Sequence, residues 1–166
     1  MLPGEENSSA GPAVYWCEPR GTGATAWTTK NPPNYVERAH VLIGQTVDTG
    51  RIRDVVAIAR LLEARGVQRL TLLGAESNGV IAAYAALALA NVERVIAVAP
   101  PSSHESPGAP QILAVLRVCD IPEVLGLLAP RSLELRDAAG PLVERVQAIY
   151  GAAGAAPRLK VLSAVR

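Results

Sequence analysis

The run "LTLLGAESNGVIAAYAALA" (70–88) sets Ser77 between an apolar strand pattern and a helix pattern built of small residues. A serine held on such a turn can attack a carbonyl carbon. The turn exposes its hydroxyl, small neighbours leave room for substrate, and the first amides of the helix stabilise the oxyanion. Residues 75–79, A-E-S-N-G, follow the G-x-S-x-G pattern with Ala75 at the first glycine position. The same spelling fits a plain cap, in which Ser77 or Asn78 accepts a hydrogen bond from the first helical turn. Both readings stand on the motif.

A nucleophilic serine needs a base, and the chain has two histidines, His40 and His104. His104 lies in "PPSSHESPG", directly after the strand pattern that follows the turn, and so on the edge of a parallel sheet where ligands bind. It is the candidate base; the alternative is a solvated loop histidine. His40, in "YVERAHVLIG", has the setting of a helix-packing residue. Asp137 directly follows the strand pattern "RSLELR" and is the candidate acid to orient a histidine, or else the cap of the helix that begins at "PLVERV". Asp120 falls inside a helical stretch.

Two other groupings carry less. "GTGATA" (21–26) has dinucleotide-loop spacing, but Trp27 and "TTKNPP" after it cannot begin the helix that would hold a pyrophosphate, so no cofactor is expected. Cys17 and Cys119 are too far apart for a zinc or redox pair and are expected to be buried free thiols, with no metal.

The elements that must position these residues alternate. "AVYWCEP" (13–19) is expected to be a strand, followed by a proline-containing loop over 28–34 and a short helix from Tyr35. Residues 48–66 carry Ile52, Val55, Val56, Ala59 and Leu62 at helical spacing, with Asp48 or Thr49 as cap and Gly66 as stop. Strand patterns at 68–74, 93–100, 131–136 and 158–164 are separated by helical stretches at 78–91, 110–128 and 141–151. Such alternation predicts an α/β protein with a mostly parallel sheet of about five strands and helices on both faces. Residues 1–12 are expected to be a flexible start, and 13–166 a single domain.

The order "PRGTGATAW", "NPPNYVERAHVLIGQTVDTGRIRDV", "LLGAESNGVIAAYAAL", "VAPPSS" and "ILAVLRVCDIPEVLGLLAPRSLEL" is similar to the C-terminal two thirds of α/β-hydrolases of the acetylxylan-esterase and prolyl-oligopeptidase-like group. The resemblance covers residues 13 to about 163 and implies a partial α/β-hydrolase fold. It implies a serine hydrolase acting on a small ester or peptide-like substrate, with Ser77 as nucleophile and Asp137 as acid. The family's histidine belongs after the strand that "RLKVLSA" resembles, and no histidine follows Asp137. If the motif is aligned on Gly74 instead of Gly79, Glu76 takes the nucleophile position. The strands before "AVYWCEP" have no counterpart, which leaves a strand edge open to pairing with a second copy. The alternative to an esterase is therefore a non-catalytic or truncated hydrolase-like domain that has lost its site.

Sixteen basic and fifteen acidic residues give a net charge of +1, without a basic run that would serve nucleic acid or a membrane surface. No signal-peptide pattern opens the chain and no apolar run spans a bilayer, so a cytoplasmic protein is expected. Apolar residues make up 49% of the chain, yet phenylalanine is absent. The core must come from Ala, Val, Leu and Ile.

Overall fold

The computed structural model describes residues 13–27 and 33–163. The expected loose start at 1–12 and most of the loop at 28–34 lie outside the described residues. Helix α1 spans Pro33–Leu42 and α2 spans Val47–Ala64. A βα alternation follows: β1 (Leu70–Ala75), α3 (Ser77–Leu87), β2 (Val92–Val98), α4 (Ile121–Gly126), β3 (Ser132–Arg136), α5 (Gly140–Ala152) and β4 (Leu159–Leu162).

The four strands are all parallel and pair in chain order, β1-β2-β3-β4. Each crossover therefore steps in the same direction across the sheet. Because βαβ crossovers are right-handed, stepping one way puts every crossover helix on the same face. The side chains agree. Leu70, Leu72, Val95, Ala97, Leu133, Leu135 and Leu159 join one cluster with Val80, Ala83 and Ala86 of α3, Val124 and Leu125 of α4, and Val146 and Tyr150 of α5. Helix α2 adds Ala59 to it. The crossover helices α3, α4 and α5 thus lie on one face, with α2 against α3, where helices on both faces were expected.

The other face carries Thr71, Leu73 and Ala75 of β1, Arg94, Ile96 and Val98 of β2, Glu134 and Arg136 of β3, and Lys160 of β4, aligned by the strand register. Glu134 is buried there because Arg136 bonds it at 2.7 Å through Nε and Lys160 Nζ stands 3.8 Å away. Leu73 is 60% exposed.

Small side chains make the helix layer work. Alanines 82, 83, 85 and 86 are buried on α3, which lets the helix seat against β1 and β2. Tyr150 is the fully buried aromatic of the cluster, and its hydroxyl donates to the Arg131 carbonyl at 3.0 Å. Arg131 in turn bonds the Ala86 carbonyl at the end of α3.

Three local expectations need correction. Residues 13–19 form no strand: Val14 and Trp16 are 84% and 89% exposed, and the segment has no sheet partner. What holds it is α2, through Arg20, whose Nε and Nη2 bond Asp54 at 2.8 and 2.6 Å. The sheet accordingly has four strands, not five, and Cys17 is exposed instead of buried. Helix α2 is capped by Thr46, which exchanges hydrogen bonds with Thr49 in a capping box, and not by Asp48. Asp48 is instead buried, accepting from Arg51 Nη1 at 2.9 Å and from the Gln111 amide at 2.7 Å. Finally, 110–128 is not one helix. It holds a 3-10 turn at Val115–Arg117 and the short α4, whose start is fixed by Asp120 and Pro122.

Candidate active site

The carboxyl ends of β1, β2 and β3 finish in the same way. Glu76, Ala99 and Asp137 are the first residues past their strands, and all three have left-handed φ, of 51°, 46° and 51°. Each amide still completes the ladder: Glu76 donates to the Val98 carbonyl at 2.7 Å, Ala99 to Arg136 at 2.7 Å, and Asp137 to Leu162 at 2.9 Å. The sheet thus extends one bond beyond its last extended residue and then turns sharply. Such a conformation costs a non-glycine residue on the order of 1–3 kcal/mol, and it recurs at functional turns.

At the first of these turns, Glu76 has φ 51° and ψ −128° and occupies the N-cap position of α3. Ser77 is the first residue of the helix. The bond from the Gly79 amide to the Glu76 carbonyl, 3.0 Å, closes the turn. Gly74 is required two residues before the apex, because a Cβ there would collide with the Asn78 carbonyl. Gly79 packs closely on β2, where a Cβ would lie 3.1 Å from that of Ala97, a tight contact that a small shift could relieve. A strained strand-to-helix turn is therefore present, and Glu76 stands at its apex. Ser77 and Asn78 do not cap α3, since no side chain caps it.

The three strand ends form the floor of an open cleft of about 580 Å³. Glu76, Ser77 and Asp137 line it together, and the loop 100–108 walls it with Ser102 and Ser106 among its residues. Asp137 does not cap α5; that position belongs to Ala139. Two of the expected site residues, Ser77 and Asp137, are thus brought to one cleft, while Glu76 is the member that the G-x-S-x-G alignment leaves out. The alignment on Gly74 finds it.

His104 is not in that cleft. It lines a separate groove of about 330 Å³ beside Thr46, Pro110 and residues 111–117. Its Nδ1 lies 2.8 Å from the Pro110 carbonyl, which can only accept, so Nδ1 carries a proton. Nε2 is hydrogen-bonded with the Tyr84 hydroxyl at 2.9 Å. Both ring nitrogens are committed. The His104 amide donates to Asp120 Oδ1 at 2.7 Å, and the Ile121 amide donates to the same oxygen at 2.7 Å. Burial, with Cys119 and Asp120 nearby, pushes the Tyr84 phenol well above its ordinary value. For Asp120, burial opposes ionisation, but bonds from the Ser103 side chain and from the His104 and Ile121 amides outweigh it and hold the carboxyl below the usual range. His104 therefore anchors the loop that walls the cleft. His40 lies on α1 with Nδ1 2.8 Å from the Val36 carbonyl, one turn back.

Among the described residues, no group of three or more His, Cys, Asp or Glu is placed to hold a metal ion, and no helix is long and apolar enough to cross a membrane.

No protein-family model matches the chain, and no curated protein matches it in sequence. Its structure is similar to that of a Bacteroides fragilis protein provisionally named an acetyl xylan esterase, with a TM-score of 0.62 and 12% identity. The fold is partial α/β-hydrolase-like. The match covers 86% of this chain and 44% of the other, so the chain spans less than half the length of that hydrolase-like neighbour. At this identity the likeness shows the fold alone.

Proposed function

We propose that the chain is an esterase-like α/β domain whose cleft receives a small ester or peptide-like ligand, and whose own residues do not carry out serine hydrolysis. One observation carries this reading: the elbow apex, where a nucleophilic hydroxyl would stand, bears the carboxylate of Glu76. Carbonyl attack through an acyl-enzyme calls for a hydroxyl there, a base within hydrogen-bond reach, and an oxyanion hole. Glu76 provides no hydroxyl at the apex, and its negative charge opposes an oxyanion forming beside it. The commitment of both His104 nitrogens adds to this.

A second reading is favoured by a different observation. Ser77 and Asp137 line one cleft, and the likeness to an esterase-named protein fits hydrolysis with Ser77 as nucleophile and Asp137 as acid. Rates of p-nitrophenyl acetate hydrolysis by the wild type and by Ser77→Ala separate the two. The proposal predicts equal rates at the level of the buffer blank. Saturable turnover that is lost in Ser77→Ala supports the second reading and overturns the first.

A further inference from the structure

The open edge of β1 is unusually well suited to a copy of itself. Strand β1 pairs with β2 on one side and with nothing on the other among the described residues. The amides of Leu70 and Glu76 both point to β2, donating to Asn91 at 2.9 Å and to Val98 at 2.7 Å. Since main-chain groups alternate along a strand, Thr71, Leu73 and Ala75 must turn their N–H and C=O groups to the open edge. These three residues are exposed. None is charged and none is proline, so the edge has neither of the usual guards against strand pairing.

We infer that two copies of the chain associate through this edge, β1 against β1 in antiparallel, about a two-fold axis at Leu73. That register brings Leu73 opposite Leu73 of the second copy, and Thr71 opposite Ala75. All are residues whose N–H and C=O face outward, so each becomes a hydrogen-bonded pair that exchanges both bonds. Every outward group of the three residues finds a partner, which a shift of register by one residue does not achieve. The two leucine side chains, 60% exposed in the single chain, come side by side on the open face. Beyond the strand, Arg69, whose side chain is 75% exposed and stands 3.6 Å from Glu93 in the single chain, comes toward the point where Glu76 leaves the second copy's strand. A six-residue strand forms a smaller seam than a standard stable interface, so the dimer is a dissociating one that forms with concentration. The pairing does not depend on what the cleft binds.

The test combines sedimentation velocity from low-micromolar to sub-millimolar protein with amide hydrogen exchange over the same range. The wild type is expected to pass from monomer to dimer as the amides of Thr71, Leu73 and Ala75 gain protection. Leu73→Lys and Leu73→Glu, each checked for folding by circular dichroism, are expected to raise the dissociation constant about tenfold or more, because like charges meet on the axis. An equimolar mixture of the two recovers the dimer. A wild type that stays monomeric throughout overturns the inference, as does a dimer whose added protection lies outside β1, or one that both variants leave unchanged. Should a variant fail to fold, the exchange series on the wild type decides alone.

Discussion

Replacing Asp120 by alanine removes the acceptor on which the cleft wall is hung. One carboxylate oxygen receives the His104 and Ile121 amides, each at 2.7 Å, and the Asp120 amide reaches Glu123 Oε2 at 3.1 Å to complete a capping box on α4. Loss of a helix cap costs about 0.5–2 kcal/mol, and hydrogen bonds to a charged group contribute about 1.5–3 kcal/mol. Asp120 is only partly buried, so water reaches some of the freed donors. The expected loss is then about 2–3 kcal/mol, which for a chain of this length lowers Tm by roughly 5–10 °C. Asp120→Asn keeps an acceptor oxygen without the charge and should lose about half as much. The pH dependence has a definite sign. Because the folded-state pKa is lowered, the carboxylate's contribution is fully present above the unfolded value of about 3.9 and is lost as pH falls through the folded value. Urea unfolding of wild type and Asp120→Ala should show the full gap at neutral pH, narrowing in acid for as long as both stay folded. A neutral-pH gap under about 0.5 kcal/mol, or one that does not narrow, would refute the assignment of Asp120 as an ionised anchor.

Other substitutions test the turn and the core. Gly74→Ala drives a Cβ into the Asn78 carbonyl, so it should destabilise by about 2 kcal/mol or more in chemical denaturation. Glu76→Gly relieves the left-handed apex and should stabilise by roughly 1 kcal/mol, with no loss of secondary structure in circular dichroism. Tyr150→Phe leaves the part-buried Arg131 carbonyl without this donor and should cost about 1 kcal/mol at neutral pH. Burial raises the Tyr150 phenol, so its stabilisation is complete below the unfolded value of about 10 and declines at higher pH. Stability measured above that pH should therefore fall less steeply in Tyr150→Phe than in the wild type.

Much of the architecture is legible in local sequence patterns, because β1 is a short, largely apolar run, β2–β4 mix apolar with charged residues over short lengths, and the longer helices between them show helical spacing. The errors come where a distant partner decides the outcome. "AVYWC" has strand composition, but a strand exists only with a neighbour to pair with, and the Arg20–Asp54 ion pair ties this segment to α2 instead. Asp48 looks like a cap from its position, yet the Gln111 amide, far along the chain, claims its carboxylate and leaves capping to Thr46. The one-sided helix layer follows from strand order, which no local pattern reveals. At the site, the choice between Glu76 and Ser77 is set by which glycine is sterically forced, and it is Gly74 at the strand end that admits no Cβ. The fate of His104 lay in Tyr84 and Pro110, whose contacts with it only the folded loop creates.

On the proposed function, the apex of the turn after β1 bears a carboxylate and Ser77 beside it is not an activated nucleophile. Intact-mass spectrometry after incubation with a fluorophosphonate tests this most directly, because the reagent phosphonylates activated serines irrespective of which ester they prefer. An unchanged mass is expected for the folded chain. A single stoichiometric adduct that maps to Ser77 and disappears in Ser77→Ala would contradict it.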